Sequence, residues 1–121
     1  PGLAADHARS SGAGAATLDA QAIAALAAAG DGAARATLAR YAERLAGALA
    51  TVVNLIDPDV VVLGGGVSNI EGLAAEVARR LPAHVFSDRC TTPVVRHVHG
   101  DSSGVRGAAW LWPARGTGKK A

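Results

Sequence analysis

The sequence has no methionine, a single cysteine and only four aromatic residues. Because Cys90 is alone, no disulfide can form within the chain, and nothing favours an oxidising compartment. No apolar run approaches the roughly 20 residues that a helix needs to cross a bilayer. The first residues lack the basic and apolar regions of a signal peptide. We therefore expect a cytoplasmic protein that does not bind membranes.

The absence of methionine concerns the extent of the chain. A translation product normally starts with Met, whereas this chain opens on Pro1-Gly2, and residues 1–9 look like the middle of an element. At 121 residues the chain is one domain or part of one. We expect a fragment of a longer protein.

Charge is also sparse and balanced, with 12 Lys and Arg against 10 Asp and Glu. Nucleic-acid binders usually cluster basic residues on one face with aromatics between them. Here the basic residues are scattered, so we expect no nucleic-acid partner. Residues 114–121 contain Arg115, Lys119 and Lys120 and are expected to form a flexible basic tail.

What the chain has in abundance is alanine, about a quarter of all residues, which favours helix. The patterns predict a short helix over 2–11 and a second one capped by Thr17 or Asp19 and ending at Gly30. Asp31 should cap a long helix over 32–56. Its apolar stripe, at steps of three and four, predicts a core face made of Leu38, Tyr41, Leu45, Leu49, Val52, Val53 and Ile56. Gly47 inside this helix suggests close packing against a neighbour.

The rest of the chain follows a βαβ pattern. The apolar run 60–63, between Pro58 and three glycines, predicts a strand buried on both faces. A helix over 70–81, closed by Pro82, and a strand over 93–98 should follow, and then a final helix over 102–112. Two strands are too few for a stable parallel sheet, so we expect the sheet to be incomplete.

The glycine triplet Gly64, Gly65 and Gly66 lies where ligands bind in α/β folds, beyond the carboxyl end of a strand. Gly64-x-Gly66-x-x-Asn69 approximates a dinucleotide fingerprint, but its last position is Asn, and no Gly-Lys-Ser/Thr follows as in a phosphate loop. The residues alone leave two alternatives open, nucleotide contact and a purely structural turn. If a helix starts just beyond Ser68, its N-terminus should favour anionic groups.

Two other groups of residues have a chemical and a structural interpretation. His84, His97, His99 and Cys90 could form a zinc site, but their spacing lacks paired ligands, so we interpret them as loop and strand-end residues.

Asp57 and Asp59 could be paired carboxylates for acid–base chemistry, but beside Pro58 they more simply cap or turn the chain. Ser102 and Ser103 could contact a phosphate, but N-capping by Asp101 or Ser102 explains them more simply.

Two strings carry a family resemblance. Residues 53–68, Val-Asn-Leu-Ile-Asp-Pro-Asp-Val-Val-Val-Leu-Gly-Gly-Gly-Val-Ser, resemble the C-terminal part of the ROK-family sugar kinases. Residues 100–113, Gly-Asp-Ser-Ser-Gly-Val-Arg-Gly-Ala-Ala-Trp-Leu-Trp-Pro, resemble the end of the bacterial fructokinase/mannokinase branch. The resemblance extends over 2–113.

The resemblance implies an α/β fold, the C-terminal part of an actin-like (RNase H-like) ATPase lobe, with residues 1–113 forming a partial domain. It implies a parent enzyme that transfers phosphate from ATP, with Mg²⁺, to a hexose hydroxyl. It makes Gly64, Gly65 and Gly66 the turn against which adenosine lies. The family's phosphate loop, catalytic base, sugar-binding residues and zinc motif all lie upstream. We therefore expect no catalytic or metal-binding residue here, and no activity from the segment alone.

Two further expectations concern partners. The family also includes sugar-sensing repressors, and a non-catalytic nucleotide-binding module is a third alternative. In the family the last helix completes the N-terminal lobe, so the helix over 102–112 should lack a partner here. We expect it to pack on another chain, giving a homo-oligomer, or to be poorly ordered.

Overall fold

The computed structural model describes residues 2–12, 18–100 and 103–111. Five helices and two strands follow one another along these residues. They are α1 (Gly2–Ser11), α2 (Ala20–Ala28), α3 (Gly32–Ile56), β1 (Val61–Leu63), α4 (Leu73–Arg80), β2 (Val94–Arg96) and α5 (Ser103–Trp110). Two short 3₁₀ turns, Gly66–Asn69 and Leu81–His84, flank α4. The helix-rich α/β character expected from the sequence is confirmed.

Aspartates begin two of the helices, as predicted. The Asp19 carboxylate accepts a hydrogen bond from the Ala22 amide at 2.7 Å, and the Asp31 carboxylate accepts one from Ala34 at 2.6 Å. Each satisfies an amide that has no partner within its helix. Asp19 is therefore the cap of α2; the alternative cap, Thr17, lies outside the described residues.

The core lies along α3, which contacts α1, α2 and α4. The expected stripe of large residues is confirmed only in part: Val53 is buried and four others are half-buried against the core, whereas Val52 and Ile56 are exposed. The residues of α3 that are buried are Ala34, Thr37, Ala42, Ala46, Ala50 and Val53. Small side chains let the neighbouring helices approach closely, so the alanines take the positions nearest to them.

Ion pairs join α3 to its neighbours. The Asp6 carboxylate of α1 accepts hydrogen bonds from Arg40 at 2.9 Å and Arg44 at 3.1 Å. Between these two arginines along α3, Glu43 is bonded to Arg80 of α4 and to His84. These polar contacts fix the register between the helices around the apolar core.

The two strands are parallel, with Val61 opposite Val94 and Leu63 opposite Arg96. The Val61 amide donates to the Pro93 carbonyl, and the His97 amide donates to the Leu63 carbonyl, both at 2.9 Å. The crossover between the strands contains α4, which confirms the expected βαβ order.

The expectation that the first strand is buried on both faces is wrong. Val61 and Leu63 are half-buried on the helical side, whereas Val62 is 58% exposed and its neighbour Val95 is also exposed. The helical side is the one that packs against the core, where α4 contacts both α3 and β2.

The later helices differ from their predicted bounds. The predicted helix over 70–81 begins only at Leu73, because Gly72 adopts a left-handed φ of 76° and turns the chain just before it. Pro82 lies within the following 3₁₀ turn. Helix α5 spans Ser103–Trp110, and its large apolar residues are exposed, with Trp110 at 84%. Trp112 and the tail over 114–121 lie outside the described residues.

Within the described ranges, no helix has both the length and the apolar character needed to cross a bilayer.

Candidate functional site

The glycine triplet lies at the carboxyl end of β1, as the sequence predicts. Gly64, Gly65 and Gly66 follow Leu63 directly, and all three are exposed. This edge of a parallel sheet is where ligands bind in open α/β folds. β2 ends at the same edge, with Arg96 opposite Leu63.

The three glycines differ in what the backbone requires of them. Gly65 has φ 84° and ψ 174°, a conformation that other residues rarely adopt, so the turn itself needs glycine there. At Gly64 and Gly66 φ is not in that range, and a Cβ would meet nothing within 4 Å. Neither backbone conformation nor packing against the described residues therefore accounts for the two outer glycines.

A buried serine fixes the shape of the turn. The Ser68 hydroxyl donates to the Gly65 carbonyl at 2.6 Å, and the Ser68 amide donates to the same oxygen at 3.1 Å. Ser68 is 5% exposed, so water competes little for these bonds. Its position three residues after Gly65 is the sequence signal for this contact.

A second contact links the turn to the neighbouring strand. The Arg96 guanidinium donates from Nη2 to Oδ1 of Asn69 at 2.8 Å. Arg96 is the last residue of β2, and Asn69 is the last residue of the 3₁₀ turn that starts at Gly66. The sequence marks Asn69 only as a departure from the dinucleotide fingerprint and Arg96 only as part of a strand, and no local pattern joins the two.

The expected helix N-terminus beyond Ser68 is wrong. The chain forms the four-residue 3₁₀ turn Gly66–Asn69 and then a left-handed turn at Gly72, so α4 starts at Leu73. The dipole of α4 therefore does not begin at the glycine triplet.

Three of the other candidate residues have structural roles. Asp57 ends α3 in a left-handed conformation, with φ 46°. The His84 ring is bonded to Glu43 at 2.7 Å. His97 continues the strand pairing through its amide. No group of three potential metal ligands comes together among the described residues. Ser102 lies outside them, as does the side chain of Ser103.

The perturbed carboxylates lie among the helices rather than at the glycine turn. Hydrogen bonds from Arg79 and Arg80 lower the pKa of Glu76 to about 2. Hydrogen bonds from Arg80 and His84 lower the pKa of Glu43. Such ion-paired groups stay charged at neutral pH and are suited to structure rather than to proton transfer.

A groove of about 280 Å³ lies between α2, α3 and the start of α4. Its walls are mainly apolar and include Leu38, Ala42 and Ile70. The Arg35 guanidinium at its rim donates to the Ala27 carbonyl at 3.0 Å, which joins α3 to α2. The groove does not include the glycine triplet.

Comparison with known proteins identifies the family. The sequence profile described as "ROK family" matches residues 2–115. The chain belongs to the ROK family. The actin-like ATPase fold of that family agrees with the α/β architecture, which confirms the fold class and the resemblance expected from the sequence.

Curated relatives of this ROK chain are sugar kinases. The N-acetyl-D-glucosamine kinase of Escherichia coli O9:H4 (strain HS) is 44% identical over 82 residues. The enzyme of the same name from Shigella flexneri serotype 5b (strain 8401) is 43% identical over 82 residues. Each match covers 68% of this chain and 27% of the relative, so the chain spans little more than a quarter of the length of these proteins.

Proposed function

We propose that this chain is part of a longer, cytoplasmic, ATP-dependent sugar kinase, in which Gly64, Gly65 and Gly66 form the wall against which adenosine lies. One observation carries the proposal. Gly64 and Gly66 are exposed at the ligand-binding edge of the sheet, and a Cβ at either would meet none of the described residues within 4 Å. A nucleoside lying against the bare backbone supplies the missing reason for glycine at both positions.

When bound, ATP with its Mg²⁺ supplies the phosphoryl group, and the residues of this chain bind and orient the nucleoside. Phosphoryl transfer also needs a base, a metal site and a sugar site in fixed positions. The family resemblance places these upstream of residues 1–113. We therefore expect the isolated chain to show no sugar-dependent ATP turnover in a coupled assay with purified protein, and such turnover would refute this division of labour.

Two lines of support bear on the sugar. The closing segment over 100–113 resembles fructokinases and mannokinases, whereas the relatives quoted above are named N-acetyl-D-glucosamine kinases. We propose a hexose as the substrate class. The full-length protein should be assayed with fructose, mannose and N-acetyl-D-glucosamine under identical conditions, and the highest kcat/KM identifies the branch. Sugar binding without ATP turnover would instead support a repressor.

The nucleotide assignment can be tested by calorimetric titration of ATP into the full-length protein. Gly64→Val and Gly66→Val should each weaken ATP binding about tenfold or more, because the new side chain fills the space of the nucleoside. Their Tm should stay close to that of the wild type, since the added Cβ meets none of the described residues within 4 Å. Gly32→Val, at the exposed start of α3, is the control and should leave ATP affinity unchanged.

The assignment is wrong if the full-length protein does not bind ATP. It is equally wrong if Gly64→Val and Gly66→Val both bind ATP as tightly as the wild type does.

We also propose that the protein is a homo-oligomer, with α5 as the candidate contact. Val105, Trp110 and Leu111 are all more than 70% exposed on or next to this helix. Such residues usually acquire a partner. Light scattering on the full-length protein should show a defined oligomer that Trp110→Ser shifts towards the monomer. An unchanged assembly would exclude α5 from the interface.

A further inference from the structure

We propose that Arg96 and Asn69 are positioning residues for the nucleotide, acting through the shape of the glycine turn. This proposal rests on the nucleotide-binding function proposed above. The two side chains form a bridge from the end of β2 to the end of the 3₁₀ turn Gly66–Asn69, with Nη2 and Oδ1 2.8 Å apart.

The glycine turn needs such a restraint. Glycine has more backbone freedom than any other residue, and three of them follow one another at an exposed edge. Apart from the adjoining residues of the turn, a Cβ at any of them would have no described residue within 4 Å, so little packing holds this segment from outside. The shape of the glycine turn therefore depends on the hydrogen bonds that it and the residues just after it make.

Two such restraints act on successive parts of the turn. Ser68 holds the Gly65 carbonyl from inside the fold. The bridge holds the next residue, Asn69, to a strand whose own register places Arg96 opposite Leu63. The bridge therefore fixes the glycine turn relative to the sheet, whereas Ser68 fixes its internal shape.

Holding a binding loop in its bound conformation raises affinity by lowering the cost of ordering it. Loss of the bridge should therefore weaken the binding of adenosine and of its phosphorylated forms alike. A direct contact between Arg96 and a phosphate would have a different consequence, because it would affect only phosphorylated ligands and would not need Asn69. The bond to Asn69 favours the positioning role.

The test uses Arg96→Ala, Asn69→Ala and the double variant in the full-length protein. We expect each single variant to weaken adenosine, ADP and ATP by a similar factor, about five- to tenfold. The loss in the double variant should be clearly smaller than the two single losses combined, because both single variants remove the bridge. KM for ATP should rise by the same factor, with kcat at saturating ATP and KM for the sugar unchanged. Arg89→Ala, an exposed arginine in the loop before β2, should change none of these values.

A readout without nucleotide separates this proposal from the function on which it rests. Both single variants should speed hydrogen exchange at the amides of Gly66, Val67 and Ser68 in the free protein, whether or not ATP binds. Unchanged exchange and unchanged adenosine affinity, with Gly64→Val still blocking ATP, would refute the bridge and leave the proposed function standing. Weaker ATP binding in Arg96→Ala alone, with adenosine unaffected, would replace positioning with a phosphate contact.

Discussion

Gly47, in the middle of α3, allows a quantitative test of helix packing. The sequence suggests that close packing demands glycine there. In the structure, an added Cβ would lie 3.9 Å from Nδ1 and 4.0 Å from Cε1 of His84, which is ordinary van der Waals contact. His84 is held beside this position by its bond to Glu43, one helical turn before Gly47. Packing therefore tolerates alanine.

The expected magnitude follows from helix propensity. Alanine is about 0.8–1.0 kcal/mol more favourable than glycine in a helix interior, and no clash offsets this gain. Gly47→Ala should raise the free energy of unfolding by about 1 kcal/mol, which is a rise in Tm of about 2–4 °C for a cooperative unit of 150–250 residues. Circular dichroism melts of the full-length protein measure this shift.

The matched control is Gly72→Ala, the same substitution with the opposite expected sign. Gly72 has φ 76°, and the left-handed conformation costs other residues roughly 1–2 kcal/mol. Its Tm should fall. A Tm for Gly47→Ala at or below the wild-type value would show that the His84 ring leaves no room for a methyl group, and the packing argument would fail.

Three further changes test other parts of the fold. The pKa of Glu76 is about 2, below the ordinary 4.5. The charged form therefore stabilises the fold fully above pH 4.5, and this contribution is lost as the pH falls towards 2. Glu76→Gln should flatten this part of the pH dependence of the urea midpoint. Ala46→Leu, on the buried face of α3, should cost about 1–3 kcal/mol by overpacking, whereas Ala48→Leu, on the exposed face, should change the urea midpoint little. Asp57→Gly should raise the free energy of unfolding by up to about 1 kcal/mol, because glycine accepts the left-handed end of α3 without strain.

Local signals in the sequence predicted local structure well. Asp31 and the start of α3 at Gly32 depend on contacts within a few residues, and the glycine triplet marks its own turn. The buried face of α3 could not be predicted in the same way. Periodicity gives weight to large residues such as Leu49, but which face is buried depends on how closely other helices approach, and this brought the alanines inward.

For the glycine turn too, the sequence predicted the local feature but not the contacts around it. The place of the triplet follows from the strand before it, but the difference between Gly65 and its two neighbours depends on backbone angles and open space. The bridge between Asn69 and Arg96 joins residues 27 positions apart, and no local pattern marks such a pair. Long-range contacts were thus the part that the sequence alone could not supply.

The positions of the carboxylates support the proposal that the catalytic base lies outside the described residues. Several are already used as helix caps or ion pairs, namely Asp6, Asp19, Asp31, Glu43 and Glu76. Asp59 precedes β1 and Gly64 follows it, so about five residues at roughly 3.3 Å each place them on the order of 16 Å apart. Along the chain, Glu71 lies as close to the triplet on one side as Asp59 does on the other, in the exposed turn before α4. Glu71→Gln in the full-length protein should keep kcat within about twofold, because a residue that does not act as the base can lose its charge without affecting proton transfer. A loss of about a hundredfold or more, the scale of removing a general base, would place the chemistry on this chain after all.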